Sequence, residues 1–332
     1  MNGFIFHPVE GAKYRRNYEK IAHDLNVFRD KNDWKKAIEL IRKLCWDDLF
    51  FLMYFVLGWG DMNHPWLVDR ANEVNDNRHK TLDVWSRYHY KSSIITVAGT
   101  IQDALRDPMI RGCIFSHTKS IAKDFLRRIK TILETNGLLA AAFEDVIPAN
   151  PMNTKGWLWS LDDGLQLKCG NEIGGTLQAS GLIDSMPTGK HFTRRIYDDV
   201  VTREAVSTSE QRNKVSECVR LSHALGDPKN GTHCFIGTRY HFGDFYGELI
   251  RGGGYTVREY ACTHNGAFPA KPVGAEDDVS PLGDGRAVLY TQDHIWEEFK
   301  NMGTATFACL PAYTRILMGD FSIKPIHQIR AG

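Results

Sequence analysis

Apolar and polar positions repeat along this chain with two periods, and the switches between them divide it into segments. From Tyr14 to Gly58 the period is helical: Trp34, Ile38, Ile41 and Leu44/Cys45 fall on one stripe, with Lys and Arg elsewhere on the surface. Asp47-Asp48 can open the next helix, Leu49–Leu57, which Gly58 ends. His64-Pro65-Trp66 starts a shorter helix reaching about Val74. Thr81–Trp85 then reads as a short strand, and Ser86–Tyr90 breaks the pattern. From Ser92 onward Ile94, Val97, Ala98, Ile101 and Leu105 return at helical spacing. Arg111–Ser116 is a second short strand, and His117–Asn136 a helix with Ala122, Phe125/Leu126, Ile129 and Leu133 on one face. Strand–helix–strand–helix at this spacing implies parallel strands joined by crossover helices.

The second half continues in the same style. Trp157–Leu161 and Leu165–Lys168 read as a hairpin about Asp163-Gly164, and Gly174–Ala179 adds an extended piece. Arg194–Val201 (RRIYDDVV) is a short apolar approach ending in carboxylates. Glu204–Leu225 is predicted helical with Val215, Val219 and Ser222/His223 inward, and Thr232–Thr238 and Tyr255–Cys262 are predicted strands. A Pro- and Gly-rich stretch, Ala267–Arg286, precedes a last short helix, His294–Met302. The expected fold class is α/β, a mostly parallel sheet with flanking helices. A helical N-terminal subdomain (1–75) is expected before it and a separate short tail (309–332) after the main domain (76–308).

Composition narrows this further. At 332 residues, 42% apolar and 24% charged, the chain has the make-up of a globular protein with room for about two domains. Lys+Arg 41 against Asp+Glu 40 leaves a net charge of +1, so no global basic field advertises nucleic acid; a DNA-handling role would rest on local patches. The seven cysteines are scattered without a C-x-x-C pair, which suggests reduced thiols in the cytosol rather than a disulfide framework or a zinc site. The most apolar run, Leu49–Gly58, is about half the length that spans a bilayer. No membrane association and no signal peptide are expected.

Three places carry candidate chemistry. Lys91-Ser92 sits where a strand and tight loop meet a helix N-terminus, whose free N–H groups favour phosphate. A Lys reaching β/γ-phosphates and a hydroxyl on Mg²⁺ are the working parts of G-x-x-x-x-G-K-[ST], but the two glycines would fall at Trp85 and Tyr90. An ordinary helix start is the alternative. Asp198-Asp199 places two acids at the carboxyl end of a strand, where they repel unless a cation or proton intervenes. Either this is a surface turn, or Asp198 holds Mg²⁺ through water and Asp199 orients the attacking water, with this strand and that of Lys91 as neighbours. Thr238, at the tip of the next strand, can sense a γ-phosphate or simply end the strand. Trp66 can stack on an adenine, though a buried Trp is the plainer reading.

Taken together, these residues resemble the ATPase domain of the large terminase subunit of tailed bacteriophages. The resemblance covers about Asn63 to Ala308. It rests on LDVWSRYHYKSSIIT, the SHTKSIAKDFL helix start, TGKHFTRRIYDDVVT, FIGTRYH and NMGTATFA. The family's deviant phosphate loop carries an arginine, matching Arg87 here. The resemblance implies a P-loop NTPase fold of the RecA/ASCE kind that binds ATP and Mg²⁺. Arg87, Lys91, Ser92 and Ser93 would contact ATP, and Ser92 and Asp198 the metal. Asp199 would activate water, Arg87 would sense the γ-phosphate, and Thr238 would couple hydrolysis to movement. The family's second acid is often Glu, and Asp199 is one methylene shorter. The implied function is a motor that packages double-stranded viral DNA into procapsids. It would form a homo-oligomeric ring on the portal protein, with a small terminase subunit as partner, in the host cytoplasm and transiently at the portal vertex. Such proteins normally continue into an RNase H-like nuclease, which this sequence does not reach.

After Ala308 the pattern changes. Cys309–Gly332 (CLPAYTRILMGDFSIKPIHQIRAG) reads as a β-hairpin, Thr314–Met318 and Ser322–Ile326, about Gly319-Asp320. It resembles the N-terminal block of an intein of the Hint fold, with Phe321 where a glycine is usual. In that family the thiolate of the first cysteine, here Cys309, attacks the preceding carbonyl to form a thioester. The activating histidine and terminal asparagine lie in later blocks, so splicing would need a complementary intein fragment carrying the nuclease half. The tail is expected to order only with that fragment. Alternatives are a truncated gene, a splicing precursor inactive as an ATPase until ligated, and a generic P-loop DNA-dependent ATPase or helicase.

Overall fold

Strands with side chains buried on both faces lie inside the sheet, away from its edges. In a computed structural model, β1 (Thr81–Trp85), β2 (Gly112–Ser116) and β6 (Arg194–Asp198) are buried at every position, as befits parallel strands covered by helices on either side. The structure describes residues 3–151, 156–168, 175–241, 243–266, 269–270, 272, 285–307, 315–317 and 323–325. The remaining strands are β3 (Trp159–Ser160), β4 (Gly164–Leu165), β5 (Leu177–Gly181), β7 (Thr232–Gly237) and β8 (Thr256–Tyr260). The eight make one mostly parallel sheet in the order β3-β4-β5-β2-β6-β7-β1-β8, antiparallel at the β3-β4-β5 edge. The expected α/β class with flanking helices is therefore observed. The expectation that β1 and β6 are direct neighbours is not: β7 stands between them in the strand order.

The chain divides into two compact units, each assembled from several segments. The first comprises Met1–His79, Ser92–Asp198 and Ser222–His233, the second Lys80–Lys91, Asp199–Leu221 and Cys234–Gly332. In the first unit, side-chain caps start the helices. Asn17 caps α1 (Tyr18–Asp30), Asp33 caps α2 (Trp34–Asp47), and Asp48 caps α3 (Leu49–Phe51). His64 accepts from the Trp66 N–H at the start of α4 (Pro65–Asp76). Asp48, fully buried, also accepts from the Tyr18 hydroxyl at 2.6 Å. Two helices are wider than the sequence suggests: α3 continues as a π-helical turn at Leu52–Val56, and the helix after Lys91 opens as a π-helix at Ser92–Ala98 before α5 (Gly99–Arg106). Trp34, expected on the apolar stripe of α2, is exposed and bonds Asn32; Ala37 takes the buried position. β2 pairs in parallel with β5 and β6. The helices α6 (Lys119–Thr135) and α7 (Gly137–Ala142) follow β2, and α6 buries Ala122, Leu126, Ile129 and Leu133.

In the second unit β1 pairs in parallel with β7 and β8. The predicted helix 204–225 is a 3₁₀ turn, Glu204–Val206, followed by α8 (Ser209–His223). After α9 (Phe245–Gly252) the last helix, α10 (Gln292–Phe307), is longer than predicted. The two strands of the expected hairpin pair antiparallel as β9 (Arg315–Leu317) and β10 (Ile323–Pro325), with Ile316 opposite Lys324, while the predicted Gly319-Asp320 turn lies outside the described residues. Among the described residues no helix is long and apolar enough to cross a membrane. Cys45, Cys113, Cys218, Cys234 and Cys262 are free thiols.

Candidate functional site

The loop after β1 is built without glycine but keeps a glycine-like backbone. The Ser86 N–H anchors it to the Tyr260 carbonyl of β8 at 3.0 Å. The chain then turns through Tyr88 (φ 64°) and Tyr90 (φ 59°), both left-handed. That conformation costs a side-chain-bearing residue about 1–2 kcal/mol, so surrounding contacts must hold it. Tyr290 donates its hydroxyl to the Tyr88 carbonyl, and the Tyr290 ring meets the edge of His89 at 5.6 Å. His89 Nδ1 donates to the Arg87 carbonyl at 2.7 Å. Burial pushes the His89 pKa down to about 4, with the Lys91 charge adding to the fall against the opposing hydrogen bond. His89 is therefore a neutral turn-former at pH 7.

This turn delivers Lys91, which is buried. Its Nζ donates to Thr238 Oγ1 at 2.9 Å and lies 3.8 Å from Asp199 Oδ1. Thr238, just past β7, is buried as well. Asp199, just past β6, has left the strand: its φ is 46°, and its N–H donates to the Ile236 carbonyl at 2.9 Å. Its Oδ1 is buried and has no hydrogen-bond partner among the described residues, although the side chain as a whole is 41% exposed. Such an oxygen is poised to accept from water or a ligand. Arg87 donates through Nη2 to Tyr240 Oη at 2.7 Å. Deeper in β1, Asp83 pairs with Arg258, directly opposite on β8, at 2.7 Å. Burial pushes the Asp83 carboxyl up, and Arg258 pulls against it.

In the first unit the partner residues sit on the π-helix and on β6. Asp198, the last residue of β6, is fully buried and accepts from Ser92 Oγ at 3.1 Å on Oδ1. Thr96 Oγ1 donates to its Oδ2. Ser92 and Thr96 are four residues apart and so share a helix face. Ser93 instead accepts from Arg128 Nη2 on α6 at 3.2 Å, away from Asp198. Trp66 is half-buried, with the Arg70 guanidinium 5.3 Å from its ring. Chain continuity joins the two sets of contacts, because Lys91 is bonded to Ser92 and Asp198 to Asp199.

The structure thus gathers Lys91, Thr238 and Asp199 in one unit and Ser92 and Asp198 in the other, with Arg87 tied to Tyr240. Cys309 and the Ala308 carbonyl lie outside the described residues. Thr96, Tyr240 and His89 were not singled out by sequence. Thr96 was readable from its one-turn spacing to Ser92, whereas nothing local marks Tyr240. Among the described residues no group of three or more His, Cys, Asp or Glu side chains converges to cage a metal. A buried carboxylate beside a serine hydroxyl nonetheless fits Mg²⁺, which takes few protein ligands and completes its shell with water and phosphate. No protein-family model matches the chain, and no curated protein matches it.

Proposed function

We propose that this chain is an ATP-hydrolysing subunit of a motor that packages double-stranded viral DNA into procapsids, with the P-loop NTPase fold that the sequence motifs imply. The observation that carries the ATPase reading is the turn of Lys91 onto Thr238 and Asp199. A lysine on the loop after a buried parallel strand, with a carboxylate and a hydroxyl around its ammonium, suits a β/γ-phosphate. Lys91 would trade these resting contacts for phosphate oxygens, and Arg87 would face the γ-phosphate. Ser92 and Asp198 would hold Mg²⁺, which supplies charge neutralisation on the β- and γ-phosphate oxygens. Thr96 orients Asp198 through its hydroxyl. Asp199, whose Oδ1 has no hydrogen-bond partner among the described residues, would orient the water that attacks the γ-phosphorus, while the bond to the bridging oxygen breaks and ADP leaves. Thr238 loses its Lys91 donor when phosphate arrives, which makes β7 responsive to nucleotide.

The packaging role, the ring on the portal, the small-subunit partner and the procapsid location rest on the terminase-like motifs. The tail reading rests on the intein-like motif together with the β9–β10 pair: the chain is the N-terminal half of a trans-spliced terminase whose other half carries the nuclease. ATP turnover is the direct test of the motor reading. Lys91→Ala is expected to lower it by at least about 100-fold, the scale of losing one preorganised charge contact; turnover unchanged by that substitution rejects the reading. For splicing, mixing the chain with a fragment carrying the complementary intein strands should give a ligated product of larger mass. Cys309→Ala should give none.

A further inference from the structure

Arg87 is held by a phenol. Its Nη2 donates to Tyr240 Oη at 2.7 Å, and its Cζ lies 5.4 Å from the Tyr240 ring centroid. A phenol restrains a guanidinium through a neutral hydrogen-bond acceptor and an aromatic ring. The post itself is firmly set. The Tyr240 and His241 N–H groups donate to Asp244 Oδ2 at 3.2 and 3.3 Å. Asp244 is fully buried, and its Oδ1 caps α9 by accepting from the Gly247 N–H at 2.8 Å. Tyr240 also follows Thr238 by two residues, and Thr238 is the acceptor for Lys91. One short segment after β7 thus takes a bond from each of the two cations on the loop after β1.

We infer that Tyr240 is a positioning residue that orients Arg87 for the terminal phosphate of a bound nucleoside triphosphate; this rests on the ATPase reading above. The hydroxyl fixes one edge of the guanidinium, whose Cζ stays within cation–π range of the ring. Fewer of the arginine's many rotamers then need to be given up when the ligand binds. Because the γ-phosphate is the group addressed, the effect belongs to ATP and not to ADP.

Tyr240→Phe removes a single oxygen and keeps the ring. ATP and ADP affinities, kcat and KM are measured for the parent, Tyr240→Phe, Arg87→Ala and the double variant. The expected result is a loss of about tenfold in the preference for ATP over ADP, the scale of one hydrogen bond to a charged group. The ADP affinity and thermal unfolding stay at the parent's values, and Tyr240→Phe adds nothing in the Arg87→Ala background. Equal losses for both nucleotides overturn the assignment, as does a full effect of Tyr240→Phe without Arg87. If Lys91→Ala abolishes turnover while Tyr240→Phe leaves the ATP/ADP preference intact, only the role of Tyr240 falls. A parent chain that binds neither nucleotide overturns both the ATPase reading and this inference.

Discussion

Tyr90 occupies the position where a phosphate loop would place its second glycine, and it adopts the backbone that a glycine would supply. With φ at 59° it sits where a Cβ is crowded by the following carbonyl. Comparing two truncations isolates that backbone term, because both remove the ring. Tyr90→Gly is expected to be more stable than Tyr90→Ala by about 1 kcal/mol, the reverse of the order seen in a helix. Urea denaturation of the pair measures it; an alanine variant the more stable of the two means the turn relaxes once the ring is gone. Asp199, like Tyr88, is a further non-glycine residue in this region of φ, at 46°. Strain of this kind clusters where a side chain must be aimed, and at Tyr90 and Asp199 the backbone leads into the contacts of Lys91.

At the scale of elements, β1 carries a buried charge pair within its apolar surroundings. Asp83 is fully buried, Arg258 nearly so, and they face each other across β1 and β8 at 2.7 Å. Such a pair adds little net stability when formed, yet breaking it strands a buried charge. Arg258→Met is therefore expected to cost about 3–5 kcal/mol, and Asp83→Leu/Arg258→Met to recover most of that loss. Equilibrium unfolding of the single and double variants decides it; equal losses in both would assign the cost to packing instead. Much at this scale was legible in the sequence. The strands read at 81–85, 111–116 and 194–201 follow from short apolar runs, and the helix starts at Asp47-Asp48 and His64-Pro65-Trp66 from residue type. The π-helix at Ser92–Ala98 was not legible, because its sequence is also that of an α-helix. Its wider turn marks a place where packing overrides local preference. Nor was the exposure of Trp34, since a large apolar residue on the stripe carries no sign that a smaller neighbour, Ala37, takes the buried place.

For the whole molecule, buried histidines contribute to the loss of stability in acid. His233, in the first unit, has its pKa pushed down to about 3 by burial first and then by the charge of Arg195, with His223, His79 and Arg194 adding smaller effects. His89, in the second unit, is pushed down to about 4. Both values lie below the ordinary histidine value of 6.5, so the unfolded chain binds protons that the native chain refuses. Stability is therefore complete above pH ~6.5 and falls as the pH drops toward the native values, at about 1.4 kcal/mol per pH unit for each histidine. By pH 5 each would cost about 2 kcal/mol. Denaturant titrations from pH 7.5 to 5 should show the decline, and His233→Gln should flatten it by its share. A pH-independent midpoint would show that neither group is held neutral.

The sequence alone determined the α/β class, most of the helices and strands though not α9, the strand pair near the C-terminus, and the two dipeptides, Lys91-Ser92 and Asp198-Asp199, that carry the candidate chemistry. These are local properties: periodicity and capping depend on neighbours a few residues apart. Only the tertiary structure decided that β7 stands between β1 and β6, that Lys91 turns onto Thr238 almost 150 residues later, and that Tyr240 takes Arg87. Strand pairing is set by registers and buried surfaces that no short window contains. The glycine-free loop makes the same point. Its sequence lacks both expected glycines, yet Tyr88 and Tyr90 adopt the backbone that glycine would have adopted freely, in a turn whose Arg87 and Tyr88 carbonyls take bonds from His89 and Tyr290.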